Sequence, residues 1–235
     1  MKNIAIFGFK DSTVGQLINL LPMEIKKKIK FLITTKKISP LIEKKDSKKR
    51  PNDKTSFIKN NKIYGLPIYY SKNPLEILKK QKISKIFILE DEGSVRKKVF
   101  NLIKEKTKNI KILSYIDKTS KITGKNNLGE GCIIFPNSYI GYKTDIGNCC
   151  FIQPGCHIEH HNVIGNFCDI NPGLITGGFT KISDLCEINL AVKIINKISV
   201  GKKSRIGAGS LVLRDIPQNS LAFGHPAKIV RKIKN

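Results

Sequence analysis

Residues 149 to 169, CCFIQPGCHIEHHNVIGNFCD, gather four of the six cysteines and three of the four histidines of a 235-residue chain. Thiolates and imidazoles at this density are the ligand types of a zinc site. A histidine among them could instead be a general base, because an unperturbed imidazole titrates near neutral pH. A metal needs several ligands converging on one point, so spacing decides between the two.

From Ile116 in steps of six to Val212, sixteen of seventeen positions are Ile, Leu or Val, and only Thr176 breaks the column. Neither the helical nor the strand period yields an uninterrupted six. A short fixed repeat marks a solenoid, and six-residue repeats point to a parallel β-helix. Four residues after each aliphatic stands a second series, running from Ser120 through Cys132, Ser138, Thr144, Cys150, Cys156, Asn162, Cys168 and Cys186 to Ser210, which takes in five of the six cysteines. Such a phase is an inward position that admits only a small side chain, and cysteine behaves there as a small hydrophobe. One phase strings these thiols along an axis, so they are assigned to packing, and no metal is expected. Cys149 lies outside the phase and its role stays open.

The chain carries 43 Lys and Arg against 18 Asp and Glu, a formal charge of +25. Such a balance invites a nucleic-acid reading. The excess sits mostly in the first half and culminates in KKDSKKRPNDK (44 to 54), which reads as a solvated loop, so no nucleic-acid partner is expected. A basic background still attracts small polyanions such as nucleotide sugars and coenzyme A. No run is long and apolar enough to span a membrane, and the N-terminus lacks a signal-peptide pattern, which points to the cytoplasm. There the cysteines are expected to be reduced.

The first half has a different grammar. NIAIFGF (3 to 9), IKFLITT (29 to 35), KIFILE (85 to 90) and IKILSYI (110 to 116) read as buried parallel strands, and VGQLINLL (14 to 21), PLEILKKQ (74 to 81) and VRKKVFNLIKEK (95 to 106) as helices. Their alternation predicts a small Rossmann-like α/β domain over 1–115, ahead of the β-helix over 116–235. Ligands of such sheets sit beyond the carboxyl ends of the strands, here near Gly8 to Thr13 and Thr34 to Lys36.

The hexapeptide columns, INPG (170 to 173), IGAGS (206 to 210) and the closing GHPAK (224 to 228) together resemble the hexapeptide-repeat acyltransferases, which are left-handed β-helices. With an α/β domain ahead of the helix, the chain resembles the subfamily of sialic acid O-acetyltransferases and nucleotide-amino-sugar N-acetyltransferases. The resemblance implies three hexapeptides per triangular coil, so that residues eighteen apart stack and His160 has Tyr142 beneath it and Gly178 above. In TGGF (176 to 179) the broken column and two glycines suggest a packing gap for a reacting acyl group.

The resemblance makes His160 the general base, with acetyl-CoA as co-substrate and a nucleotide sugar as acceptor. The Gly178 N–H would bond the thioester oxygen. Where the subfamily places Glu or Asp after this histidine the chain has His161, and Glu159 is the candidate replacement. Asp169 replaces a histidine near the pantetheine. A homotrimer is implied, in which Asp169, Gly178, Ala208 and Lys228 bind the coenzyme, and Gly178, Ala208 and Lys228 meet a His160 from the adjacent chain. His157 is read as structural or solvent-facing, and His225 as a loop residue near the coenzyme. Three histidines within five residues do not match the spaced zinc ligands of γ-carbonic anhydrases.

In the first domain Gly8, Asp11, Ser12 and Thr13 would meet the phosphates at a helix N-terminus, with Thr35 after the second strand. TTKK (34 to 37) lacks the acids that the subfamily places there, which leaves the nucleotide open. GLPIYYSKN (65 to 73) is read as a linking turn. The function expected is N-acetylation of a nucleotide-linked amino sugar for surface-glycan synthesis. Its alternatives are O-acetylation of a sialic-acid-like sugar and a β-helix binding protein that has lost activity.

Overall fold

The computed structural model describes residues 3–9, 11–35 and 62–234. The basic stretch 44–54, with Lys36 and Lys37, lies outside them, and so do the side chains of Asp11 and Ser12. The chain forms two compact units, Met1–Ile112 and Leu113–Asn235.

In the first unit the strands are β1 (Asn3–Phe7), β2 (Ile29–Thr34), β3 (Lys62–Ile63), β4 (Leu66–Tyr70), β5 (Ile83–Ile88) and β6 (Lys111–Ile112), in the sheet order β3-β4-β2-β1-β5-β6. All pairings are parallel except the β3–β4 hairpin. Helices span Asp11–Leu20, Pro74–Lys80 and Gly93–Lys106. Near-continuous apolar runs build the central strands because both faces are covered: Ala5, Ile6, Leu32, Ile33, Ile86 and Ile88 are fully buried. Two expectations need correction. GLPIYYSKN is no linking turn: Leu66–Tyr70 is a sheet strand beside β2. IKILSYI does not form one strand either. Its first part closes this sheet, while Tyr115–Ile116 opens the second unit.

The second unit runs through seventeen two-residue strands, β7 (Tyr115–Ile116) to β23 (Leu211–Val212), and ends in an antiparallel hairpin, β24 (Ser220–Gly224) and β25 (Ala227–Lys232). Strands six residues apart in sequence enter three different sheets, and each pairs in parallel with the strand eighteen residues away, as Tyr139 with His157 and His157 with Ile175. Three sheets thus form the sides of a prism, one coil per eighteen residues.

Each position of the hexapeptide has its own physics. The column aliphatics point inward, and from Ile140 to Val212 they are at most 3% exposed. The next residue donates its N–H to the column carbonyl one coil on, as Gly141 does to Ile158 O at 2.7 Å. It is often glycine because a Cβ there would strike that coil's backbone: at Gly141 it would lie 2.6 Å from His160 N. Three residues after the aliphatic the chain turns a corner with positive φ, as at Asn137 (59°), His161 (57°) and Phe179 (60°). Cys149 takes this corner position, with φ 49° and a buried side chain.

Cysteines of the fourth phase are buried, but smallness is only half of their role. Cys132 Sγ donates to Gly147 O at 2.9 Å, Cys150 to Gly165 O at 2.9 Å and Cys168 to Ser183 O at 3.1 Å. Ser138 and Thr144 make the same bond fifteen residues on, to Gln153 O and Glu159 O. Where the phase carries Cys, Ser or Thr it supplies a small side chain with a hydrogen to give, because a buried carbonyl left unmatched is costly; Leu174, Val192 and Ile198 fill the same phase with apolar side chains alone.

Candidate functional site

His160 occupies the corner after the strand His157–Ile158. Consecutive strand residues point to opposite faces, yet here two adjacent imidazoles meet. His161 adopts the left-handed φ of the corner, which swings its ring to within 3.0 Å, Nδ1 to Nδ1, of His160. The His161 ring stacks on Phe179 of the coil above (centroids 4.7 Å, interplanar 14°) and meets the edge of Tyr142 of the coil below at 5.8 Å. Phe179 also meets His160 edge-on at 5.4 Å. Two aromatic residues from the neighbouring coils, Phe179 eighteen positions after His161 and Tyr142 nineteen before it, therefore fix the ring that fixes His160.

In an Nδ1–Nδ1 pair one imidazole donates and the other accepts. When His160 donates, its Nε2 keeps a lone pair and can take a proton. A second imidazole thus serves as the partner at this corner.

Glu159 does not face the His160 ring. Its carboxylate bonds His157 Nε2 at 2.9 Å, and its second oxygen accepts the His160 backbone N–H at 3.3 Å. Residues 157 and 159 are two apart and share a face, which is the physical reason. The bond from His157 holds the Glu159 carboxyl below its usual value. His157 also stacks on Tyr139 at 4.6 Å.

The gap expected at TGGF is filled. A Cβ on Gly178 would lie 2.5 Å from His160 Cε1, 2.9 Å from Nε2 and 3.0 Å from Nδ1, so the imidazole of the same chain occupies that space. The Gly178 carbonyl accepts from Lys197 N–H at 3.0 Å, while its own N–H has no acceptor among the described residues. Thr176 leaves no void either: it is buried, and its hydroxyl accepts from Asn162 Nδ2 at 2.6 Å and Glu159 N–H at 3.1 Å.

The other expected coenzyme residues stand elsewhere on the prism. Asp169 lies on another sheet, aligned with Phe151 and Glu187. Ala208 sits on the corner that follows that sheet, and Lys228 belongs to the closing hairpin opposite Phe223. His225 precedes Pro226 in the turn of that hairpin. One chain brings His160, His161 and Gly178 together and leaves Asp169, Ala208 and Lys228 apart from them. Among the described residues no group of three or more His, Cys, Asp or Glu could hold a metal ion. The described helices include none long and apolar enough to cross a membrane.

In the first unit Gly8 has φ 124° and lies so close to β5's exit that a Cβ would be 2.8 Å from Leu89 O. Thr13, expected to meet phosphate, is buried, and its hydroxyl donates to the Asp91 carboxylate. Thr35 is exposed at the end of β2. Because β5 lies beside β1, the loops after these two strands face one crevice at the point where strand order reverses. An acidic turn, Glu90 to Glu92, therefore stands beside the glycine loop. Buried Arg96 braces it by donating through Nη1 to Glu90 O (2.9 Å) and Asp91 O (2.8 Å). Sequence reasoning looked for acids only after the second strand. The signal was LEDEG at the end of KIFILE, and it needed the sheet order to be read.

No family model matches the chain. A 42-residue stretch is 55% identical to a Saccharomyces cerevisiae protein named "Putative acetyltransferase", and a 44-residue stretch is 52% identical to a Staphylococcus aureus protein of the same name. These matches cover 18% and 19% of this chain, and the chain spans only 21% and 22% of those relatives' length. Solved structures match over the whole chain. PerB from Caulobacter crescentus, in complex with CoA and GDP-perosamine, superposes with TM-score 0.79 at 19% identity, covering 97% of each chain. The acetyltransferase domain of PglB from Neisseria gonorrhoeae, in complex with acetyl coenzyme A, gives 0.77 at 15%, covering 97% of this chain and 99% of its own. WeeI from Acinetobacter baumannii gives 0.74 at 18%, covering 98% and 100%. At these identities the likeness establishes the fold, an α/β domain followed by a left-handed parallel β-helix.

Proposed function

We propose that this chain is an acetyl-CoA-dependent N-acetyltransferase that acts on a nucleotide-linked amino sugar in surface-glycan biosynthesis. The observation that carries the reading is the corner at His160: an exposed imidazole, paired through Nδ1 and lying over a glycine whose N–H has no acceptor among the described residues. Short identity to proteins named as acetyltransferases, and the fold shared with proteins crystallised with CoA, acetyl coenzyme A or GDP-perosamine, support it.

His160 donates its Nδ1 proton to His161 and keeps the Nε2 lone pair. As the sugar amine attacks the thioester carbonyl, Nε2 takes the amine proton, and the Gly178 N–H bonds the oxygen on which charge develops. The C–S bond breaks, the thiolate leaves as CoA, and the proton passes from His160 to that sulfur. Transfer is direct, since the five phase cysteines and Cys149 are buried and none can present a nucleophile. Burial pushes the Cys156 thiol up to about 11, further from the reactive thiolate.

The protein acts in the cytoplasm as a homotrimer in which Asp169, Ala208 and Lys228 of one copy hold the coenzyme against the His160 corner of another. The first unit binds the nucleotide sugar at the loop from Gly8 to Thr13, with Thr35 and the acidic turn at Asp91 completing the crevice. The test is CoA release from acetyl-CoA with UDP-, GDP- and dTDP-linked 4-amino sugars and with free sialic acid. Release with one amino sugar, lost by about 100-fold or more in His160→Ala with acetyl-CoA binding retained, is the expected result. Release with sialic acid alone would assign the O-acetyl chemistry. Acetyl-CoA binding without turnover on any acceptor would refute the transferase reading in favour of a binding protein.

A further inference from the structure

The residue after each column aliphatic obeys a strict rule. From Asp117 to Ile195 its N–H donates to the column carbonyl eighteen residues beyond that aliphatic, at 2.7 to 3.2 Å. Among the described residues Glu159 is the one exception. Its N–H goes to the side-chain hydroxyl of Thr176 at 3.1 Å. The second rule fails at the same place. From Cys132 to Cys186 the other donors of the small phase reach a carbonyl fifteen residues on, but Asn162 Nδ2 stops one residue short, at the same Thr176 Oγ1, 2.6 Å away. Thr176 is the only polar residue in the column, and it is 1% exposed.

Glu159 and Asn162 flank His160 and His161. Both ends of the two-histidine corner are therefore tied to one buried oxygen atom, and the opposite end of the Asn162 carboxamide is locked too, because Oδ1 accepts from Thr180 N–H at 2.6 Å. An aliphatic residue at 176 would bury more apolar surface, which favours the fold. A hydroxyl here gives up that gain, and the buried polar atoms it draws in must all be matched. They are, and the atoms they pin are the backbone of the corner.

We propose that Thr176 and Asn162 are positioning residues for the His160 base: the Thr176 hydroxyl clamps residues 159 and 162 so that the corner presents the paired imidazoles over Gly178. The proposal rests on the acetyltransferase reading for its consequence in turnover, but the clamp itself is a geometric claim with its own readout.

Thr176→Val keeps the β-branched shape and completes the aliphatic column. Its melting temperature is expected to equal or exceed that of the parent protein. The amides of Glu159 and Asn162 are expected to exchange hydrogen faster, and the imidazole ¹⁵N shifts of His160 and His161 to move. In turnover, kcat falls on the order of 10- to 100-fold, the scale of a misplaced catalytic group, while KM for acetyl-CoA stays within about twofold of the parent, since a lost positioning effect falls on kcat. Thr176→Ser, which restores the oxygen, recovers kcat and the exchange pattern. Parent-like exchange and imidazole shifts in Thr176→Val would overturn the clamp. So would a fall in kcat that tracks a fall in melting temperature and is not rescued by Ser. If the parent protein transfers no acetyl group to any acceptor, the transferase reading fails alone, and exchange and imidazole shifts still decide the clamp.

Discussion

A single methyl group at residue 178 tests the placement of His160 directly. Gly178 has φ outside the left-handed region, so alanine costs nothing in backbone strain, and the whole effect is steric. The new Cβ would stand 2.5 Å from His160 Cε1, with both ring nitrogens within 3.0 Å. Carbon atoms rest at about 3.5 to 4.0 Å, so the ring must move by about 1 Å or more. It can, because His160 is exposed and lies at the free end of a side chain, whereas the glycine backbone is held by the Lys197 N–H bond to its carbonyl. Gly178 itself is buried, but the atoms that must yield belong to an exposed ring, so stability should change by no more than about 1 kcal/mol, or about 4 °C in melting temperature for a chain of this size. Displacing a base by this distance costs about 100-fold in rate. The assay is steady-state CoA release beside a thermal melt and an acetyl-CoA binding titration. A Gly178→Ala protein with parent-like kcat would refute both the position of the ring and its role. Lost turnover accompanied by a melting temperature lower by roughly 8 °C or more, about twice the expected shift, would refute the claim that the ring alone yields.

The pairing of His157 with Glu159 has a pH sign. The Glu159 carboxyl is held below its ordinary 4.5, first by the bond from His157, so the pair's contribution is present above the unfolded value and is lost as pH falls through the folded one. Both side chains are substantially exposed, so the contribution to stability is small. In His157→Gln the Glu159 carboxyl should titrate closer to 4.5 by carbon-13 NMR; an unmoved titration would show that other groups set it. In the small phase, Cys150→Ser keeps a donor for Gly165 O, whereas Cys150→Val removes it and adds volume. Thermal melts should place Val below Ser by about 1 to 3 kcal/mol, and the reverse order would show that apolar filling alone governs the phase.

The hexapeptide column is legible without coordinates because it is a strictly local rule: a fixed step of six places Ile134, Ile152, Ile170 and Ile188 on one inner side however the coils are stacked. The eighteen-residue register then follows from three sides, and with it the stacking of residue 178 over residue 160. The inward burial of the five phase cysteines was legible for the same reason. Their hydrogen-bond donation was not, since the acceptor carbonyl fifteen residues on belongs to another coil.

What the tertiary structure alone decided are contacts made at corners and between loops. Strand alternation would set His160 and His161 apart, but the left-handed φ at residue 161 brings their Nδ1 atoms to 3.0 Å, with Phe179 and Tyr142 holding the second ring. Alternation did place His157 and Glu159 on one face, and that denies Glu159 to the His160 ring. In the first unit the sequence displays a glycine after β1 and an acidic turn after β5, seemingly unrelated. Only the order of the strands sets β5 against β1, so that Asp91 reaches Thr13. Thr176 joins the two levels. A period of six marks it as the one break in the column, but that its hydroxyl takes the Glu159 amide and the Asn162 carboxamide depends on atoms brought together from two successive coils.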